Sequence, residues 1–505
     1  MKIALIACPS WTVWAPTPAL LLLGAGLRRE GHTVGLFDLN IDAYHWMDEK
    51  DREMWLDENS VKWETERVVD DLFQKYVLEF ADYAQKIARF GPELMGFSVG
   101  SGARYTSPHM ARLVRKMLPR VPIVFGGADC FRSEWFERYM IREVDAVCPG
   151  EGDIALPALA ATIQRTGKVP VDQPGFLTWE NGSVRDNGDP AKPRRLDDLA
   201  PVDLDGFDLS PYTMPNRLTL CISRGCVHHC AFCSEGNNFG PYRTHSAEYM
   251  FHQVSAILPR LAESGLKPHI SFGDSLINAN MKVLERFCDL IISNGLVFSW
   301  GGMAYIREEM TPEMLQKIWK AGCIEIFWGI ESGSSAILKA MNKGFTPRLL
   351  DRVVRDTALA GIAQYGNIIV GFPGEGPQEF AETLLFLLKN IDNFTFLGLP
   401  LLVPRKNSTL YDSPHLFGMA GRHAELWETT DGRNTPKIRI LRRNILASVL
   451  REKIFDRNRL DGLIRRINVD LQDPEIREEY LNIFDEFVGL TQRYLSSNSA
   501  SLPLL

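Results

Sequence analysis

The apolar positions fall into two alternating patterns. Over 2–8, 33–38, 94–99, 122–125 and 144–148 they form short, nearly unbroken runs, which read as strands buried on both faces. Over 16–29, 106–118, 134–141 and 153–164 they recur every three or four residues, which predicts helices. Strands and helices joined by such short loops predict an α/β, doubly wound, Rossmann-like sheet over 1–166. An acidic and aromatic stretch, 46–90, interrupts it. Its later part, 68–87, has helical spacing, so it reads either as an insertion capping the ligand edge or as a solvated excursion.

From 167 to 216 the pattern lapses into a connector rich in Pro, Asp, Gly and Arg. Within it, Asn181-Gly182 lies between strand-like 175–179 and 183–185, a hairpin signal. The alternation then resumes. Strand-like runs at 218–223, 269–274, 297–304, 323–330, 366–372 and 396–403 are separated by helical runs at 246–264, 280–293, 311–321, 334–341, 347–360 and 378–389. Ser246 and Thr346-Pro347 supply caps for two of these helices. Six strand–helix units are too few to close an eight-stranded barrel, so a partial (β/α)6 barrel is expected over 217–403. Beyond it, 404–436 is irregular and includes His415, His423 and Trp427. The stretch 438–495 reads as amphipathic helices, the clearest opening at Asp473-Pro474, and 496–505 as a disordered tail.

At 505 residues the chain has room for two or three domains. The net charge of −7 gives no reason to expect nucleic acid as a partner. The opening Met1-Lys2-Ile3-Ala4-Leu5-Ile6-Ala7 reads as a strand and not as a leader, and no apolar run approaches the ~20 residues of a membrane span. Nine cysteines without a pairing pattern fit a reducing, cytoplasmic setting better than a disulfide framework. Three of them cluster.

Those three are Cys226, Cys230 and Cys233, in C-x3-C-x2-C spacing after a strand-like run. Thiolates so arranged ligate soft metals, chiefly zinc or iron–sulfur clusters. A structural zinc site needs a closed set of four ligands. Cys221, His228 or His229 could supply the fourth, though Cys221 falls in the expected strand and both histidines fall inside the loop. A four-iron cube held by three thiolates keeps one iron open. With Phe232 before the last cysteine, the loop resembles that of the radical S-adenosylmethionine (SAM) enzymes. The expected barrel carries the likeness further, in Tyr242-Arg243, Phe272-Gly273-Asp274-Ser275, Gly329-Ile330-Glu331-Ser332-Gly333, Met341-Asn342-Lys343-Gly344 and Ile369-Val370-Gly371-Phe372-Pro373-Gly374-Glu375. The resemblance implies a [4Fe-4S] cluster on the three cysteines. It implies SAM held by Phe232, Asp274, Ser275, Glu331, Ser332, Ile369 and Gly371, with the last two backing the adenine. A helix-capping role is the structural alternative for Asp274. Tyr305 and Arg307, after the third barrel strand, are candidates for catalytic contact with substrate or the SAM carboxylate. For Arg307 an ordinary ion pair explains the residue nearly as well.

The N-terminal third lacks G-x-G-x-x-G; Gly24-Ala25-Gly26 lies inside the first helix with the wrong spacing. It resembles the cobalamin-binding domain preceding the barrel in one large radical SAM subgroup. The likeness rests on the opening strand with Pro9, on Phe97-Ser98, on Gly126-Gly127, and on Val144-Asp145-Ala146-Val147 leading into Gly150-Glu151-Gly152-Asp153. It implies cobalamin held at the strand ends by Ser10, Trp11, Ser98, Ser101, Gly126, Gly127, Gly150, Glu151 and Gly152, with Arg104 and Tyr105 flanking its lower face. The D-x-H-x-x-G motif, whose histidine ligates cobalt in many such domains, does not occur.

The resemblance implies a cobalamin-dependent methyltransferase acting on an unactivated carbon of a small molecule. A reductant such as flavodoxin or ferredoxin would drive SAM cleavage to a 5′-deoxyadenosyl radical. Methylcobalamin would deliver the methyl group, and a second SAM would restore it. Ring formation, ring rearrangement, oxidation and methylation at phosphorus share the architecture and stay open. Methylthiolation calls for three further cluster cysteines near the N-terminus, where only Cys8, Cys130 and Cys148 stand. A corrinoid or metal sensor would need a partner-binding or DNA-binding module that the sequence does not signal.

Overall fold

The computed structural model describes residues 1–132, 136–421, 426–452 and 473–497. The chain divides into two compact units: Met1–Arg224 with Arg243–Gly273, and Gly225–Tyr242 with Asp274–Leu505.

In the first unit, β1 (Lys2–Ala7), β2 (Thr33–Asp38), β3 (Leu94–Ser98), β4 (Ile123–Gly126) and β5 (Ala146–Val147) pair in parallel, in the order β2-β1-β3-β4-β5. Successive side chains on a strand face opposite ways. Ile3, Leu5, Leu94 and Val124 therefore pack on one face with Leu20 and Leu27 of the helix Pro18–Arg29 and with Leu159 and Ile163 of Gly152–Thr166. Ala4, Ile6, Phe97 and Phe125 pack on the other, with Met110 and Val114 of Thr106–Met117 and Phe80 and Ile87 of Val77–Phe90. Helices on both faces make this the doubly wound α/β sheet that the strand runs predict.

The connector hairpin, β6 (Leu177–Glu180) and β7 (Ser183–Asp186), extends that sheet, with β6 antiparallel to β5. Asn181 and Gly182 both have positive φ, 52° and 81°, as a two-residue turn of this twist requires. The unit also holds β8 (Arg217–Leu220), the short antiparallel pair β9 (Ser223–Arg224) and β10 (Arg243–Thr244), and β11 (His269–Phe272), parallel to β8. Between β10 and β11 runs the helix Ala247–Ala262, whose first turn donates from Tyr249 N to the Ser246 hydroxyl.

The second unit carries β12 (Ser299–Ala304), β13 (Cys323–Glu331), β14 (Ala363–Ile368) and β15 (Phe396–Gly398), parallel and in sequence order. With β8 and β11, all six strands expected for the barrel form, and the six expected helices lie between them in sequence, two of them between β13 and β14. The C-terminal region is helical over Pro436–Glu452 and Pro474–Ser497. Arg442, fully buried, ties these helices to the turn after β14, through Glu479 (2.6 Å) and Glu375 (3.2 Å).

Several expectations are corrected. The 68–87 helix is two helices, Glu66–Lys75 and Val77–Phe90. The break falls at Tyr76, whose hydroxyl accepts from Asp48 N and donates to Asp51, and it lets Phe73 stack on Phe80 at 3.7 Å. The helix expected at 134–141 reduces, among described residues, to a 3-10 turn at Phe136–Tyr139. The fifth barrel strand begins at Ala363 and ends at Ile368, because pairing with β13 starts at Glu325–Ala363. The expected irregular region 404–436 contains the short helix Thr409–Asp412. His423, the helical reading of 453–472 and the tail from 498 lie outside the described residues; Ser496 and Ser497 end a helix. No helix among the described residues is long and apolar enough to cross a membrane.

Candidate active site

The cysteine loop belongs to the second unit. Ala231 is its anchor: its N–H donates to Met341 O (2.9 Å), its carbonyl accepts from Leu410 N (2.8 Å), and its methyl is buried with Ile337, Ile369, Phe372 and Trp427. Phe232 packs on the same apolar cluster, so two residues expected to wall SAM, Phe232 and Ile369, meet there. The Cys233 N–H donates to Cys230 O (3.0 Å), closing the loop's turn. Cys226 and Cys233 sulfurs each accept a backbone N–H at 3.5 Å, from His228 and Glu235. Burial raises all three thiols, Cys233 to about 11, so the loop in its metal-free form holds them protonated. Bound metal would reverse that by taking the thiolates.

The donor chemistry suits an iron–sulfur cluster: three thiols lie on one loop, and two of the sulfurs already accept the N–H bonds that tune cluster sulfurs.

Around the loop, Glu331 sits at the end of β13 with φ 67°, 8% exposed, its carboxylate 3.4 Å from Lys343 Nζ. Burial raises its pKa, against the pull of that lysine. Ser332 is committed elsewhere. Its hydroxyl pairs with Thr383 (2.9 Å) and accepts from Ser334 N (3.1 Å), which fixes the turn after β13 on the helix Pro377–Asn390. Ser275 donates to Glu235 (2.7 Å). Asp274 is buried, and the next helix, Met281–Ser293, is capped by Asn280, so the capping alternative for Asp274 is removed.

Tyr305 is held by its backbone in a two-way bond with the buried Asn278 amide (2.8 and 2.9 Å). Its ring stacks on His228 of the cysteine loop, centroids 3.5 Å apart. Arg307 is spent on Glu309 (2.8 and 3.1 Å) and on the carbonyls of Asn278 and Ala279. The structure thus brings Tyr305 to the loop and commits the Arg307 guanidinium to local partners.

Ile369 N donates to Glu331 O (3.0 Å), joining the turns after β13 and β14. Gly371 has φ 86°, and its N–H donates to Glu375 (2.8 Å). Asn434 donates to the carbonyls of Gly371 and Phe372, and Arg439 packs beneath Gly371. Asn434, Arg439, Lys343 and Glu235 escaped the sequence reading. Only Lys343 carried a signal, inside the Met341-Asn342-Lys343-Gly344 motif, and no role was read for it.

In the first unit the order β2-β1-β3-β4-β5 reverses between β1 and β3, and doubly wound sheets bind ligands beyond the strand ends at such a point. Ser10 and Trp11 follow β1, Ser98 ends β3, Ser101 lies three residues on, and Gly126 and Gly127 close β4. Trp11 is 44% exposed, a large apolar surface at that edge. Its N–H donates to Asn40, which also accepts from Trp55 and donates to Thr12 O. Other expected residues are spoken for. Arg104 is forked on Asp129 (2.8 and 2.9 Å), which also accepts from Tyr139. Tyr105 packs partly on the core. Gly150 abuts Pro190, Gly152 faces Leu23, and Glu151 is buried against Arg243.

Residues 220–387 match the radical SAM superfamily model. An uncharacterized methyltransferase of Pyrococcus horikoshii is 28% identical over 330 residues, covering 64% of this chain and 69% of that protein. Cytidylyl-2-hydroxyethylphosphonate methyltransferase of Streptomyces wedmorensis is 25% identical over 60% of this chain and 62% of its own. Among solved structures, the cobalamin-dependent SAM radical enzyme OxsB, with aqua-cobalamin bound, aligns at TM-score 0.66 over 99% of this chain and 75% of its own, at 16% identity. TsrM of Kitasatospora setae, with tryptophan and a SAM analog, aligns at 0.61 over 82% and 76%, at 18% identity. At such identities the likeness is one of fold.

The three-thiol loop lies among parallel strand–helix repeats inside that matched stretch, and the radical SAM family implies a [4Fe-4S] cluster and SAM. Residues 220–387 are a radical SAM superfamily domain by this match.

Proposed function

We propose that the chain is a cobalamin-dependent methyltransferase acting on an unactivated carbon of a small molecule. One observation carries this reading. The same chain holds a three-thiol loop in its second unit and, in its first, a doubly wound sheet whose β1/β3 edge presents Trp11, Ser98 and Ser101. The domain division that goes with it is 1–166 for cobalamin, 167–216 as connector, 217–403 for cluster and SAM, and 404–505 as a helical region shaping the substrate pocket.

Cys226, Cys230 and Cys233 would hold the cluster and leave one corner for SAM. Phe232, Ile369 and Gly371 would wall the nucleoside, with Glu331 and Asp274 toward its polar groups. Ser332 and Ser275 would act by fixing their neighbours. When bound, the cofactors supply radical hydrogen abstraction and methyl transfer. The chain's part is to orient the reacting centres and exclude water. Aromatic rings at 228, 305 and 345 serve the second purpose by lining the loop with apolar surface. Methylthiolation has less support, because it calls for three further cluster cysteines, and Cys8, Cys130 and Cys148 are each buried.

The test is an anaerobic preparation assayed for iron, sulfide and corrinoid, then incubated with SAM, a reductant and candidate small molecules. Four irons, a bound corrinoid, and both 5′-deoxyadenosine and S-adenosylhomocysteine as products are expected. A loaded enzyme that makes 5′-deoxyadenosine and never S-adenosylhomocysteine would overturn methyl transfer.

A further inference from the structure

Lys343 lies in this neighbourhood, and the proposed roles leave it unused. It is 4% exposed. A lysine is rarely buried so deeply unless it is paired. Its ammonium has a carboxylate partner, Glu331 at 3.4 Å, and three aromatic neighbours: Tyr305, Phe345 and Phe232, with centroids at 5.3, 5.6 and 5.9 Å. Aromatic faces attract a cation without neutralising it.

Its place is fixed from both sides. Met341 O accepts from Ala231 N, and the Asn342 amide donates to His229 O, both at 2.9 Å, so the turn bearing Lys343 is clasped to the cysteine loop. Asn342 itself takes φ 59° to make that reach. On the other side Gly329 leaves the room: a Cβ there would lie 2.9 Å from the Glu331 carboxylate and 3.2 Å from Nζ.

Lys343 therefore stands beside the loop at Cys230: the two residues before it are bonded to Ala231 and His229, which flank that cysteine, and its ammonium lies 5.9 Å from the ring of Phe232.

We propose that Lys343 is a positioning residue that sets how easily a cluster on this loop accepts its electron. The inference rests on the three cysteines carrying that cluster. Reduction adds one negative charge, and a buried cation held nearby at low dielectric stabilises the reduced form. Glu331, its carboxylate partner, carries the opposite charge and opposes it. Both substitutions therefore have a signed effect. Lys343→Met makes reduction harder, Lys343→Arg preserves it, and Glu331→Gln makes it easier.

The experiment is a potentiometric titration of the anaerobically reconstituted full chain without SAM, followed by electron paramagnetic resonance, with iron and sulfide measured on each sample. Lys343→Met should lower the reduced-to-oxidised ratio at a given potential by tenfold or more, equivalent to about 59 mV for one electron. Lys343→Arg should stay within threefold of wild type, and Glu331→Gln should raise the ratio. A Lys343→Met chain that loads four irons and titrates like wild type overturns the proposal. If that variant loads no cluster, the Glu331→Gln result decides: an unchanged or lower ratio overturns it. A wild-type chain with no four-iron signal would instead overturn the cluster assignment itself.

Discussion

Alanine at Gly371 tests whether the C-terminal helix forms the floor of the turn after β14. A Cβ there would lie 2.3 Å from both Cγ and Cδ of Arg439. Carbon atoms pack at about 3.5–4.0 Å, so one of the two groups must move by more than an ångström. Arg439 has little freedom to do so. It is 1% exposed, its guanidinium lies 3.9 Å from the centre of the Trp427 ring, and it donates to Trp427 O at 2.7 Å. The left-handed backbone adds about 1–2 kcal/mol for any residue with a Cβ, and overpacking adds about 1–3 kcal/mol. Gly371→Ala should therefore cost about 2–5 kcal/mol.

Gly374 is the internal control. Its φ is 89°, and a Cβ there meets nothing within 4 Å, so Gly374→Ala should cost only the backbone term, about 1–2 kcal/mol. The assay is thermal and denaturant unfolding of the metal-free chain, with Gly371→Ala repeated on an Arg439→Ala background to isolate the steric coupling. Equal costs at the two glycines, or no coupling to Arg439, would refute the close approach.

Replacing any one of Cys226, Cys230 and Cys233 by alanine should remove most of the bound iron and all 5′-deoxyadenosine formation, read by iron analysis and chromatography. Arg442→Met strands the buried Glu375 and Glu479 carboxylates and should cost about 3–5 kcal/mol in denaturant unfolding, since breaking a buried pair from one side leaves an uncompensated charge. Asp38 should give stability a signed pH dependence. Burial raises its pKa from 3.8 to about 6, outweighing the hydrogen bond from Tyr212. Between those values the folded chain keeps a proton that the unfolded chain has released, so stability falls as pH rises. The difference in unfolding free energy between wild type and Asp38→Asn should drop from pH 4 to pH 6; a flat difference would contradict the burial argument.

Local signals carried much of this molecule. The first sheet was legible because parallel strands covered on both faces leave unbroken apolar runs, as at 2–8 and 94–99. The hairpin was legible because Asn-Gly suits the positive φ of its turn. The cysteine loop was legible because its ligands are close in sequence. Features built from distant segments were hidden. The cage around Lys343 draws on Phe232, Tyr305, Glu331 and Phe345, and no spacing rule connects them. Arg439 meets Gly371 only once the C-terminal helix has docked. The helix break at Tyr76 was missed because amphipathic spacing persists across it, while the cause lies in Asp48 and Asp51.

The Glu151–Arg243 pair bears on how the chain can be divided. The Glu151 side chain is 2% exposed, and its partner comes from the far side of the cysteine loop. A fragment severed between the hairpin and β8 would retain all seven strands of the N-terminal sheet and yet lose the arginine that pairs with that carboxylate. Such an orphaned charge costs several kcal/mol. Autonomy of the front half therefore requires a cut beyond 243, or a neutral residue in place of Glu151.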